Sequence, residues 1–159
     1  MRVHPPVLAL LLLAVAACGK DATSPQNSVS NPVVLAKGSM GARIDGAAWN
    51  ATLAVSAVNS NGIIAIAGND GTHTLGFGLV ANGTGTFTIG PLSATNGLLI
   101  QSGGAAWTAN LARGSGTVTI TSLTSTAVAG TFSFTLLPSP GTPANANKVI
   151  SDGVFNIKF

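Results

Sequence analysis

The residue types that could do chemistry in this 159-residue chain are few: one cysteine, two histidines, four aspartates and no glutamate. Beyond residue 17 the only histidine is His73, set between Thr72 and Thr74 just after Asp70-Gly71. Catalysis needs groups poised for proton transfer or attack. A Ser-His-Asp set could be drawn from the many serines, His73 and Asp45 or Asp70, but no Gly-x-Ser-x-Gly elbow accompanies it. Paired carboxylates for glycoside hydrolysis would have to come from Asp45, Asp70 and Asp152. Each of these precedes a glycine, and turn geometry already accounts for that placement. Metal chemistry fares no better, with no His/Cys cluster and no Asp-x-Asp-x-Asp-Gly loop. Asn69-Asp70 offers two oxygens to a calcium ion, but a plain turn explains the pair as well. The expectation is therefore no catalytic residue, no metal site and no cofactor: the chain is not an enzyme.

Other side chains could bind without reacting. Trp49 and Trp107 could stack on a sugar, yet both fall on otherwise apolar faces, which favours core packing. They sit in an echo, Gly46-Ala47-Ala48-Trp49 against Gly104-Ala105-Ala106-Trp107, that fades too soon to mark a repeat array. Threonines alternate along several segments and could order water, but solvent-facing strands prefer threonine in any case.

The sole cysteine, Cys18, has a more specific setting. A basic start at Arg2 precedes an apolar run from Val7 to Ala17. That run is too short for a membrane helix, which needs roughly 20 apolar residues, and has the length of a signal-peptide core. Val15-Ala16-Ala17-Cys18 resembles the lipobox of bacterial lipoproteins. The resemblance implies cleavage before Cys18, acyl chains on its thiol and its new amine, and attachment to a cell-envelope membrane. Residues 1–17 are then a signal peptide. Gly19 follows the cysteine where aspartate would favour inner-membrane retention, so the outer membrane is the expected address. A single cysteine also excludes an internal disulfide.

The 142 residues left after cleavage suffice for one domain with a sizeable core. Charged residues make up 7% of the chain, and hydrophobic ones 46%, far from the usual quarter charged. Six Lys/Arg against four Asp remain beyond residue 17, too few and too scattered for a nucleic-acid footprint. Residues 18–38 (CGKDATSPQNSVSNPVVLAKG) combine the lipidated Cys18 with a Ser-, Asn- and Pro-rich tether. Twenty such residues span roughly 25 Å.

From Ser39 to Phe159 the chain alternates with period two between turn signals, with no apolar stripe at helical spacing. Asp45-Gly46, Asn61-Gly62, Asp70-Gly71, Asn82-Gly83, Asn96-Gly97 and Asp152-Gly153 all suit tight hairpin turns. Inward faces read as Met40/Ala42/Ile44, Trp49/Ala51/Leu53/Val55, Ile64/Ile66, Leu75/Phe77/Leu79 and Phe87/Ile89. They continue as Leu98/Ile100, Trp107/Ala109/Leu111, Val118/Ile120, Phe132/Phe134/Leu136 and Phe155/Ile157/Phe159. Gly76 and Gly78 lie opposite Phe77, where the sheet can bend. LPSPGTPANAN (137–147) reads as a long loop before the last strand. The terminal Phe159 is also the ending of outer-membrane barrels, but those strands need about 9–11 residues and aromatic girdles, and there is no tyrosine here. The expected fold is all-β: a single antiparallel meander over 39–159, forming a sandwich or flattened barrel of about 8–11 strands.

Ser39-Met40-Gly41-Ala42-Arg43-Ile44-Asp45-Gly46-Ala47-Ala48-Trp49 resembles the opening of a domain family of unknown function in bacterial lipoproteins, approximately Met-x-Ala-x-Ile-Asp-Gly-x-x-Trp. Segments 115–121, 130–134 and 153–157 resemble its closing strands. The resemblance implies an all-β lipoprotein and assigns no catalytic residue. The functional expectation is a non-catalytic envelope lipoprotein, an interaction or structural module. Its partners would be the membrane, through the anchor, and an unidentified protein or small molecule, with no nucleic acid. The alternative is a carrier of a small apolar ligand in a lipocalin-like interior.

Overall fold

The computed structural model describes residues 38–90 and 93–159; the segments expected to be a signal peptide (1–17) and a lipidated tether from Cys18 to Lys37 lie outside the described residues. The described residues form eleven strands and no helix. In order they are β1 (Ser39–Ile44), β2 (Ala47–Asn50), β3 (Ala54–Ser60), β4 (Ile63–Asn69), β5 (His73–Val80) and β6 (Gly85–Ile89). Then come β7 (Asn96–Gln101), β8 (Ala106–Ala109), β9 (Ser115–Leu123), β10 (Ala127–Pro138) and β11 (Lys148–Lys158). All pairings are antiparallel.

The sheet is continuous but curled. One limb runs β6-β9-β10-β11-β1-β2 and the other β8-β7-β5-β4-β3. The long strand β10 joins them: Val128–Thr135 pairs with β9, and Leu137 and Pro138 pair with β8 along the same edge. Arg113 pins this junction by donating from Nη1 to the Pro138 carbonyl at 2.7 Å. The chain is not one uninterrupted meander: it changes limb four times, after β2, β5, β6 and β8.

The inner faces of the limbs meet over phenylalanine. The Phe77 ring lies 4.9 Å from Phe132, 5.7 Å from Phe134 and 5.4 Å from Phe155 between centroids. Each of these rings stands across a strand pair from a glycine: Phe77 from Gly97, Phe132 from Gly153, Phe134 from Gly116 and Phe155 from Gly130. The missing side chains make the room. A Cβ at Gly130 would lie 2.8 Å from Phe155 Cζ, and one at Gly153 2.6 Å from Phe132 Cδ2. Flat ring on bare backbone is how this chain fills its core with only six phenylalanines.

Several sequence readings need correction. Leu98 and Ile100 do not face inward: they are 39% and 41% exposed, while Leu99 is fully buried. Gly97 takes an inward position of this strand, where a Cβ would lie 3.2 Å from Phe134 Cδ1 and 3.4 Å from Leu136 Cδ2. Leu53 and Leu111 are also outside, at 71% and 58% exposure, because both fall in connections rather than strands. Asp45-Gly46 and Asn61-Gly62 do make two-residue hairpin turns with positive φ at both positions. Asn96-Gly97 instead lies within β7, and Asp152-Gly153 within β11 beside a register shift. Both tryptophans are core residues, each 4% exposed. Trp107 Nε1 donates to the Ala146 carbonyl at 2.6 Å, which ties down the loop before β11.

Candidate functional site

Two places on the domain gather side chains that could serve a function. The first is a depression of about 250 Å3 at the end of the sandwich that holds the Asp45-Gly46 turn. Asp45, Asp70, His73 and Lys148 line it together, so the topology unites most of the titratable groups of the sequence reading. Asp45 owes its place to the β1–β2 turn, and its carboxylate clamps the start of β11. It accepts from Lys148 Nζ at 2.7 Å and from the Val149 amide at 2.9 Å. Burial pushes this carboxyl up, but the Lys148 and Val149 hydrogen bonds and the Lys148 charge outweigh it and hold it below its ordinary value. The same ammonium sits 5.3 Å from the centre of the Trp107 ring, a cation–π contact.

Asp70 is spent in the same way. Its Oδ1 accepts from the Thr72 and His73 amides at 2.8 and 2.6 Å, closing the β4–β5 turn. Burial raises its carboxyl, while those two amides and neighbouring His73 lower it further, leaving it below its ordinary value. His73 Nδ1 stands 3.8 Å from Asp70 Oδ2, beyond hydrogen-bond length. No serine, threonine or cysteine lines the depression. Asn69 Oδ1 accepts from the Gly71 amide at 2.7 Å, so the two oxygens considered for calcium are used by the turn itself. Asp152 lies elsewhere, 3.4 Å from Arg43 Nε.

The second place is the outer face of the β8-β7-β5-β4-β3 limb, which the sequence reading missed. Its pairing register sets the outward residues in rows. Ser60, Ile63 and Val80 form the first row, and Val58, Ala65, Gly78 and Asn96 the second. Ser56, Ala67, Gly76, Leu98 and Thr108 form the third, and Ala54, Asn69, Thr74, Ile100 and Ala106 the fourth. No charged residue occupies any of them. Gly76 and Gly78 floor a depression of about 510 Å3, walled by Ile63 and Val80 at one end and by Ala94, Asn96 and Leu98 along one side. Ile63 and Val58 remain 59% exposed. The outer face of the other limb is of opposite character. It carries Thr86, Thr88, Thr117, Thr119, Thr131 and Ser133, with Thr86 and Thr119 hydroxyls 3.0 Å apart and Thr117 and Ser133 3.2 Å apart. Arg43 and Asp152 add charge to that side.

The residues of the opening signature now have a physical account. Met40 and Ile44 point into the core, Asp45-Gly46 turns the chain, and Trp49 folds back beside Met40. A Cβ on Gly68 of β4 would meet Met40 Sδ at 3.0 Å and Trp49 Cη2 at 3.1 Å. The signature thus closes the corner where the two limbs meet. Residues 36–157 match the domain of unknown function DUF6252. The chain belongs to this family. No curated protein and no solved structure matches it. The DUF6252 match spans every strand of the domain and begins after the lipobox segment, so the family speaks for the fold and not for the anchor.

Proposed function

We propose that this chain is a non-catalytic lipoprotein of the cell envelope. Acyl chains on Cys18 hold it to a membrane, the outer one where there are two, and its DUF6252 domain serves as an interaction or structural module. The observation that carries the module reading is the phenylalanine cluster between the limbs. Phe77 is packed on Phe132, Phe134 and Phe155 between the limbs, in the space that a lipocalin-like carrier would leave for its ligand. That packing favours the module over the carrier. The use of Asp45 and Asp70 in closing turns and holding Lys148 gives both carboxylates a structural role, which supports a non-catalytic reading.

The anchor is tested by metabolic labelling with palmitate. The wild-type chain should take up label and Cys18→Ala should not. Uptake by the variant would remove the lipoprotein assignment and leave the domain reading intact.

A further inference from the structure

We propose that the charge-free outer face of the β8-β7-β5-β4-β3 limb docks against the same face of a second copy of this chain. The proposal rests on the module reading above and names the module's partner. A face that binds its own copy must be self-complementary about a two-fold axis, and this one is. Its trough, Gly76 and Gly78 on β5, lies directly beside its ridge, Leu98 and Ile100 on β7, with Leu98 registered to Gly76 and Ile100 to Thr74. A two-fold axis lying in the face along the β5–β7 seam therefore sets Leu98 of each copy onto Gly76 of the other. Glycine lets the backbone come close where the leucine enters.

The chain outside the described residues fits the same axis. Rotation about an axis along the strands leaves height along it unchanged. Gly38, where the described chain begins, then lies at the same end of the pair in both copies. Two chains anchored at Cys18 can reach one membrane without strain on either.

The area is modest. With that axis β4, β5, β7 and β8 overlap, strands of seven, eight, six and four residues spaced about 4.8 Å apart, so each face contributes a footprint of roughly 400 Å2. The two together, roughly 800 Å2, fall short of the ~1,000 Å2 at which specific interfaces begin. A weak dimer follows, of the kind that confinement on a membrane stabilises by raising effective concentration. A lipid surface is the poorer occupant. The face carries no aromatic residue and no Lys or Arg in any of its rows, the groups that hold a protein at a bilayer interface.

The test uses the full chain in intact cells, with Leu98→Cys and a bis-maleimide cross-linker. Wild-type chain, whose one cysteine is Cys18, gives the background. A species of twice the monomer mass should appear with Leu98→Cys, and equally with Ile100→Cys should the first variant fail to accumulate. Thr131→Cys, on the threonine face, should give none. Adding Ala67→Arg, in the row of Gly76, Leu98 and Thr108, should cut the cross-linked species by about tenfold or more, because each copy would bury an unpaired guanidinium. Two results would overturn the proposal. One is a Leu98→Cys thiol that reacts freely with a membrane-impermeant maleimide and does not cross-link, meaning a bare face. The other is a thiol shielded from that reagent without cross-linking, meaning that lipid or another protein covers it. Palmitate labelling of the same samples reads the anchor separately, so a missing dimer and a missing anchor are told apart.

Discussion

Removing one ring should decide whether the interior of this domain is packed or hollow. Phe77 is 3% exposed and touches three other phenylalanines across the two limbs. Phe77→Ala deletes the central member of that stack, and neighbours on two different strands cannot all collapse into the gap. Core Phe→Ala changes cost about 3–5 kcal/mol, against a total stability of about 5–15 kcal/mol for a domain. For about 120 folded residues the unfolding entropy is about 0.25 kcal/mol/K, so a loss near 4 kcal/mol lowers Tm by about 15 °C. The matched control is Phe87→Ala, a half-buried ring on strand β6 at the end of its limb, expected to lower Tm by less than half as much. Thermal unfolding followed by circular dichroism measures both. Should Phe77→Ala shift Tm no more than Phe87→Ala, the ring does not bridge a packed interior, and the carrier reading replaces the module.

Gly130→Ala should destabilise by about 1–3 kcal/mol through overpacking, since its new Cβ would collide with the Thr119 carbonyl and crowd Phe155; a urea midpoint equal to wild type would contradict the ring-on-glycine account. Stability should also fall on acidification. Asp45 and Asp70 are both lowered below the ordinary 3.8 in the folded chain, so their contribution is present above that value and is lost as pH drops through the lower folded values. Urea midpoints measured from neutral pH to about pH 3 should decline for wild type and decline less for the Asp45→Asn, Asp70→Asn double variant, which should start lower.

Much of the fold was legible because most strands have one dry face and one wet one. Val118 and Ile120 between threonines, or Phe132 and Phe134 between Thr131, Ser133 and Thr135, admit only one way in. The hairpins at Asp45-Gly46 and Asn61-Gly62 were legible for a similar reason, as few other residues take positive φ twice in succession. The failures share a cause as well. Gly97-Leu98-Leu99-Ile100 has no alternation, and a period-two reading cannot choose a register for it. The structure chooses through a contact that no local pattern carries, the close approach of Phe134 and Leu136 to Gly97. Asn96-Gly97 has the composition of a turn, but its glycine serves the space above a ring. Asp45 before Gly46 has the composition of a turn residue, and it is one. Its second role, clamping Lys148 and Val149, joins residues 103 and 104 positions apart and leaves no trace in spacing.

The ambiguous register in β7 is also informative about function. A strand with apolar residues on both faces ordinarily lies in the middle of a domain, covered on both sides. Here the inner side of the limb is covered by phenylalanine, while the outer side presents Leu98, Ile100, Ile63 and Val58 to solvent. The opposite limb shows that this chain can make a wet face when one is wanted: β6, β9 and β10 set rows of threonine and serine outward, with the Arg43–Asp152 pair on the same side. A domain that merely had to stay in solution would gain nothing from that difference between its two outer faces. An apolar sheet face with a glycine trough beside a leucine ridge makes physical sense once a second surface covers it.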